Sequence, residues 1–118
     1  MRQKIEQRLI DLTIGINDIV KKLDGSLLSQ NLSSQIVRSS SSSALNYGEA
    51  QGAESKKDFI HKCSIVLKEL RETHINLKLI KNSQNVENVE HLDHLLDECD
   101  QLIAIFHKTV RTAKAKKH

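Results

Sequence analysis

The sequence predicts an all-α protein, an up-down-up-down antiparallel four-helix bundle, and three observations carry that reading. The 118-residue chain contains no proline, the residue that most strongly breaks helices. Four stretches repeat their apolar residues at alternating spacings of three and four, the period of one helix face. Short clusters of Gly, Ser and Asn separate these stretches, and short connections make antiparallel neighbours. No strand pattern competes.

The first helix is expected over about 3–23, where Ile5, Leu9, Leu12, Ile16, Ile19 and Leu23 form one continuous seam. Gly25 suits the left-handed position just past a helix end. Ser26 is then the N-cap of a second helix over 27–51, with an inward stripe of Leu28, Leu32, Ile36, Ser39, Ser43, Tyr47 and Ala50. The segment 38–59, RSSSSSALNYGEAQGAESKKDF, holds five consecutive serines. Composition alone reads it as a linker, but the helical spacing continues through it and the side chains only shrink. Such a face lets a neighbour approach toward the low end of the usual ~8–10 Å axis separation. The hydroxyls can bond carbonyls four residues back. Gly48 weakens the helix by about 1 kcal/mol relative to Ala, and Gly52 stops it.

Ser55 followed by Asp58 has the spacing of a capping box and opens a third helix over 56–81. Phe59, Cys63, Val66, Leu70, Thr73, Leu77 and Ile80 are its stripe. The 82–85 cluster, Asn-Ser-Gln-Asn, is a turn. The fourth helix, about 87–111, carries Leu92, Leu95, Leu96, Cys99, Leu102, Ile103, Phe106 and Val110. Residues 112–118 read as a basic, frayed tail outside a single domain of 1–111.

A chain of this length suits one domain, and folding buries roughly 65% of the surface its unfolded form exposes. No apolar run approaches the ~20 residues that span a bilayer. The opening MRQKIEQRLIDL mixes charges with apolar residues, unlike a signal peptide, so a soluble, cytosolic protein is expected. Cys63 and Cys99 lie on apolar stripes and read as reduced, buried thiols.

Net charge is +3, but Lys108, Arg111, Lys114, Lys116 and Lys117 crowd the C-terminus with no acid among them. Together with Arg2 and Lys4 these are the candidates for phosphate contacts; the alternative is a solvated helix end. A second apolar set, Ile10 and Ile14 on the first helix and Ile65, Ile75 and Leu79 on the third, lies opposite the main stripes. A monomeric bundle needs one stripe per helix, so the excess points to a subunit interface.

Catalytic and cofactor signals are weak. His91 and His94 have a metal-compatible spacing, yet the Glu-x-x-His motif of carboxylate-bridged bundles does not occur, and Asp58-x-x-His61 sits at a helix start. No metal or cofactor is expected. Arg111 and His118 have the Arg-x6-His spacing of HEPN-type ribonucleases, but His118 is the last residue. The four glycines are dispersed, so no phosphate loop exists, and the few aromatics look like core residues rather than base-stacking platforms. Asn46, Glu49 and Ser55 read as a polar clamp at the corner between the second and third helices.

Residues Gln35, Arg38-Ser39, Ser42, Asn46-Tyr47-Gly48-Glu49-Ala50, the run from Gly52 to Lys62, and Leu67-Lys68-Glu69-Leu70-Arg71-Glu72-Thr73 resemble one bacterial family. It is the four-helix-bundle family first noted in intervening sequences of 23S ribosomal RNA genes. Ser43 departs where a larger aliphatic is usual, and Gly48 where Ala is usual. The resemblance implies an up-down bundle and a homo-oligomeric, pentameric ring, without implying ribosomal membership. A related branch, the accessory variability proteins of diversity-generating retroelements, forms a basic pentameric barrel that binds nucleic acid and a reverse transcriptase. The expected function is therefore a non-enzymatic scaffold holding RNA or DNA through basic surface. The alternatives are a protein-binding adaptor and, more remotely, a HEPN-like ribonuclease.

Overall fold

The structure, a computed structural model, describes residues 2–84 and 86–116, the side chains of Arg2 and Gln3 excepted. Four helices follow in chain order: α1 (Arg2–Val20), α2 (Leu27–Gln51), α3 (Lys56–Ser83) and α4 (Val89–Ala115). They form the antiparallel four-helix bundle that the periodicity predicts, with each helix packed on two neighbours in the cycle α1–α2–α3–α4. The bundle measures 50 × 23 × 21 Å, its long axis set by helices rising about 1.5 Å per residue.

The apolar stripes become one core. Leu9, Leu12, Ile16 and Ile19 of α1 meet Leu32 and Ile36 of α2, Val66, Leu70, Leu77 and Ile80 of α3, and Leu92, Leu95, Leu102 and Phe106 of α4. The Tyr47 and Phe106 rings touch edge to face, with centroids 5.4 Å apart, the arrangement aromatic quadrupoles favour. Cys63 and Cys99 are free and buried; Cys99 donates its S–H to the Leu70 carbonyl at 3.3 Å. Burial pushes the thiols up to about 11 and about 12 respectively, the neighbouring Asp100 and Glu98 adding to the second.

The serine run is helical throughout, and three of its five residues face inward. Ser39, Ser40 and Ser43 are fully buried. Their hydroxyls bond carbonyls three residues back (Ile36, Val37 and Ser40), not four as expected. The i−4 bond is made by Ser41, to Val37 at 2.7 Å. Ser39 also meets the Thr73 hydroxyl of α3 at 2.7 Å. Among the described residues no buried side-chain N or O lacks a partner, so this polar seam avoids the penalty of unmade hydrogen bonds. The helix pair it joins, α2 and α3, has the most extensive contact in the bundle.

Caps fall where expected. The Ser26 and Ser55 hydroxyls accept from the Ser29 and Asp58 amides, and Asn88 caps α4 by accepting from the His91 amide. Four details differ. α1 ends at Val20, and Lys22 and Leu23 form tight turns onto Ile19 and Val20. Gly25 is not left-handed; the corner is held instead by Asp24, whose carboxylate accepts from the Ser26 amide at 3.0 Å and the Ser29 hydroxyl at 2.6 Å. Leu28 is exposed and Ser29 takes the buried position, where Gln84, just past the end of α3, reaches its hydroxyl. α4 runs to Ala115, so Lys114 lies on ordered helix rather than in a frayed tail.

Candidate nucleic-acid interface

The charge of α4 is divided lengthwise. Glu87, Glu90, Asp93, Asp97, Glu98 and Asp100 surround its first half, and no Lys or Arg occurs between 86 and 100. From 101 onward the pattern reverses, with no acid at all. This is the polarity the helix dipole favours, carboxylates near the N-terminus and cations near the C-terminus. Arg8 of α1 ties to the acidic half through a two-pronged ion pair to Glu98, at 2.8 Å for each nitrogen; that hydrogen-bonded carboxylate raises the guanidinium further above its usual range.

α3 runs antiparallel to α4, so its first half faces the basic half of α4. Two grooves result. One, of about 460 Å³, is bordered by Lys56, Phe59, Lys108, Thr112 and Lys116. The other, of about 480 Å³, is bordered by Ser64, Lys68, Arg71, His107, Arg111 and Lys114. Neither has a carboxylate in its wall. Sequence reasoning missed Lys56, Lys68 and Arg71, which stand 40 or more positions before the basic tail. The available signal was that Lys68 and Arg71 lie on the exposed face of the third helix, opposite its apolar stripe.

The expected residues divide as follows. Lys108, Arg111, Lys114 and Lys116 come together at this end of the bundle. Lys4 is exposed in the first turns of α1, at the same end, because α1 and α4 are antiparallel. The Arg2 side chain, Lys117 and His118 lie outside the described residues, and with His118 goes the Arg-x6-His pair. Asn46 bonds within its own helix, to the Ser42 carbonyl and hydroxyl at 2.9 and 3.0 Å. Glu49 crosses to α3 and pairs with Lys62 at 2.6 Å, whose ammonium it holds above its usual range. Ser55 acts as a cap. Ile10, Ile14, Ile75 and Leu79 are exposed, while Ile65 is half-buried.

Nothing in these walls assembles a nucleophile with its base. His91 is half-buried and His94 exposed, and among the described residues no group of three or more His, Cys, Asp and Glu could hold a metal ion. Tyr47 and Phe106 are buried, whereas the half-buried Phe59 borders the first groove and the exposed His107 the second. No helix among the described residues is long and apolar enough to cross a membrane.

A family model described as 23S rRNA-intervening sequence protein matches residues 1–108. A solved structure of a protein with unknown function from the S23 ribosomal protein family of Bacteroides thetaiotaomicron VPI-5482 is similar, with a TM-score of 0.78, 24% identity, and coverage of 94% of this chain and 99% of that one. Likeness at that identity is one of fold. No curated protein matches the chain.

Proposed function

We propose that this chain, which belongs to the 23S rRNA-intervening sequence protein family, is a cytoplasmic, non-enzymatic, homo-oligomeric scaffold that binds RNA or DNA by its phosphates. The observation that carries the reading is the pair of acid-free grooves on either side of the basic half of α4. Phosphate contacts of this kind position a nucleic acid without reading its sequence. Self-association multiplies them: in the pentamer that the family resemblance implies, a chain charge of +3 becomes about +15 around the ring.

The test is fluorescence anisotropy with a generic duplex across a salt series. If one site engages about five phosphates, the slope of log K on log salt is about −4.5, and a fourfold rise in salt weakens binding ~500-fold. Arg111→Glu combined with Lys114→Glu should abolish binding at low salt and leave the fold intact, since both residues are exposed. Absence of wild-type binding at about 50 mM salt, where such contacts are strong, would refute the reading.

A second reading, a protein-binding adaptor, is favoured by a third groove of about 560 Å³ between α2 and α3, bordered by Gln35, Ile75, Asn76 and Leu79. Asn76 there is only 5% exposed. Partner capture through its apolar part, Ile75 and Leu79, would depend less on salt than phosphate binding does, although Lys68, Arg71 and Glu72 also border this groove.

A further inference from the structure

Asn76 differs from the other buried polar residues. Ser29, Ser39, Ser40, Ser43, Glu69 and Thr73 all make side-chain hydrogen bonds. The Asn76 side chain is 5% exposed, yet its amide makes no hydrogen bond among the described residues. No fully enclosed side-chain N or O among them lacks a partner, so both ends of the amide open on the α2–α3 groove that Asn76 borders. An amide held this deep is costly until something supplies its bonds.

The groove around it is divided. Arg71, Ile75 and Leu79 stand four positions apart along one edge, the spacing of surface neighbours on a helix. Ile75 is 52% exposed and Leu79 45%. At the other end Lys68 and Arg71 are exposed and have no ion-pair partner among the described residues. Glu72, the carboxylate of this wall, is already engaged by Arg38 at 2.7 Å. Lys68 and Arg71 also border the acid-free groove between α3 and α4. They form a ridge with cations on one side and an apolar, amide-bearing groove on the other. Asn76 lies five residues beyond Arg71, about 7.5 Å along the helix axis.

We infer that the α2–α3 groove takes an unstacked nucleobase of a single strand whose phosphates lie on the Lys68–Arg71 ridge. The inference rests on the phosphate-binding reading above and names its substrate class. A base edge sets donors beside acceptors, and a side-chain amide, with its own donor and acceptor, meets two of them at once. Ile75 and Leu79 would cover the face of the base, whose removal from water is favourable. The groove, of about 560 Å³, has no aromatic ring in its wall, so edge bonding and aliphatic contact hold the base in place of stacking. A duplex keeps its bases paired and uses the cationic grooves alone, whereas a single strand can splay a base over the ridge. A protein segment would need an acidic residue beside an apolar one to suit the same walls; the continuity of the ridge with the acid-free groove favours nucleic acid.

The experiment is fluorescence anisotropy of the full chain with two single-stranded DNA oligonucleotides of equal length, one complete and one abasic throughout, across a salt series. Both carry the same phosphates, so their salt slopes should agree. The complete strand should bind about tenfold tighter, the size of one amide–base pair. Asn76→Leu, close in volume, should close that gap. Ile75→Ala, at an exposed position, should narrow it. Circular dichroism checks that each variant is folded, and a matching RNA strand shows which sugar the site prefers. Wild-type protein that binds neither oligonucleotide at about 50 mM salt would overturn both the phosphate-binding reading and the base groove. Equal affinities for the two strands, or a gap that survives either substitution in folded protein, would overturn the base groove alone and leave the α2–α3 groove to a protein partner.

Discussion

Two glycines in helix interiors should respond to the same substitution with opposite sign. A Cβ added at Gly48 meets nothing within 4 Å, and the residue is exposed on α2. Gly48→Ala then changes only backbone freedom and helix propensity, worth about 0.5–1 kcal/mol in favour of Ala. At Gly15 a Cβ would sit 2.7 Å from Leu95 Cδ2 and 3.5 Å from His91 Cε1. Gly15 is buried where α1 meets α4, and Leu95, 4% exposed, has core on its other side. Repacking a buried leucine costs about 1–3 kcal/mol, which exceeds the propensity gain, so Gly15→Ala should destabilise by about 1 kcal/mol. For a chain of 118 residues, with an unfolding entropy of about 2.1 cal/mol/K per residue, 1 kcal/mol moves Tm by about 4 °C. Thermal unfolding followed by circular dichroism, at one fixed protein concentration because assembly couples to stability, should show Gly48→Ala above wild type and Gly15→Ala below it. If both variants shift upward, the close approach of α1 and α4 at Gly15 is wrong.

Three further outcomes follow from particular contacts. Glu69 is 7% exposed and faces Arg38 at 3.3 Å, so Arg38→Ala leaves a buried carboxylate with only the Ser42 hydroxyl at 3.4 Å; discounting for the exposed guanidinium, urea denaturation should show a loss of about 1–2 kcal/mol, and an unchanged midpoint would mean that Ser42 and solvent suffice for Glu69. The Asp24 carboxyl is held below its ordinary value of 3.8 by hydrogen bonds from Ser26 and then Ser29. Its folded pKa is depressed, so its stabilisation is present above the unfolded value and is lost as pH falls through the folded one. Asp24→Asn should therefore show a flatter decline in stability below about pH 4 than wild type, and parallel curves would remove Asp24 from the acid response. Cys63 and Cys99, pushed up to about 11 and about 12 by burial, should resist a thiolate-directed reagent in native protein at neutral pH and react together in denaturant; fast native labelling of either would contradict its burial.

The helix boundaries show how far local pattern reaches. Ser26 and Ser55 were legible as caps because a cap is a contact across three residues. The serine run was legible as helix because periodicity survives a change of side-chain size. Leu28 was misplaced, since Leu at helical spacing outweighs Ser in any pattern argument. The structure buries Ser29 instead, because Asp24 and Gln84 supply the hydrogen bonds that make its burial tolerable. By residue type Gly25 suits a left-handed stop, yet α1 closes earlier through tight turns, and the Asp24 carboxylate holds the corner while Gly25 is not left-handed.

The fold class, the four apolar stripes and the basic C-terminal run are legible in the chain's local pattern, because they are properties of residues a few positions apart. Which cations share a wall is a matter of helix packing. Lys56, Lys68 and Arg71 reach the basic half of α4 because α3 packs antiparallel to it. The structure likewise put the two exposed apolar faces on diagonal helices. Helical periodicity says which way a residue points from its own axis; which surfaces then meet depends on packing around a common core, and that information is distributed over the whole chain.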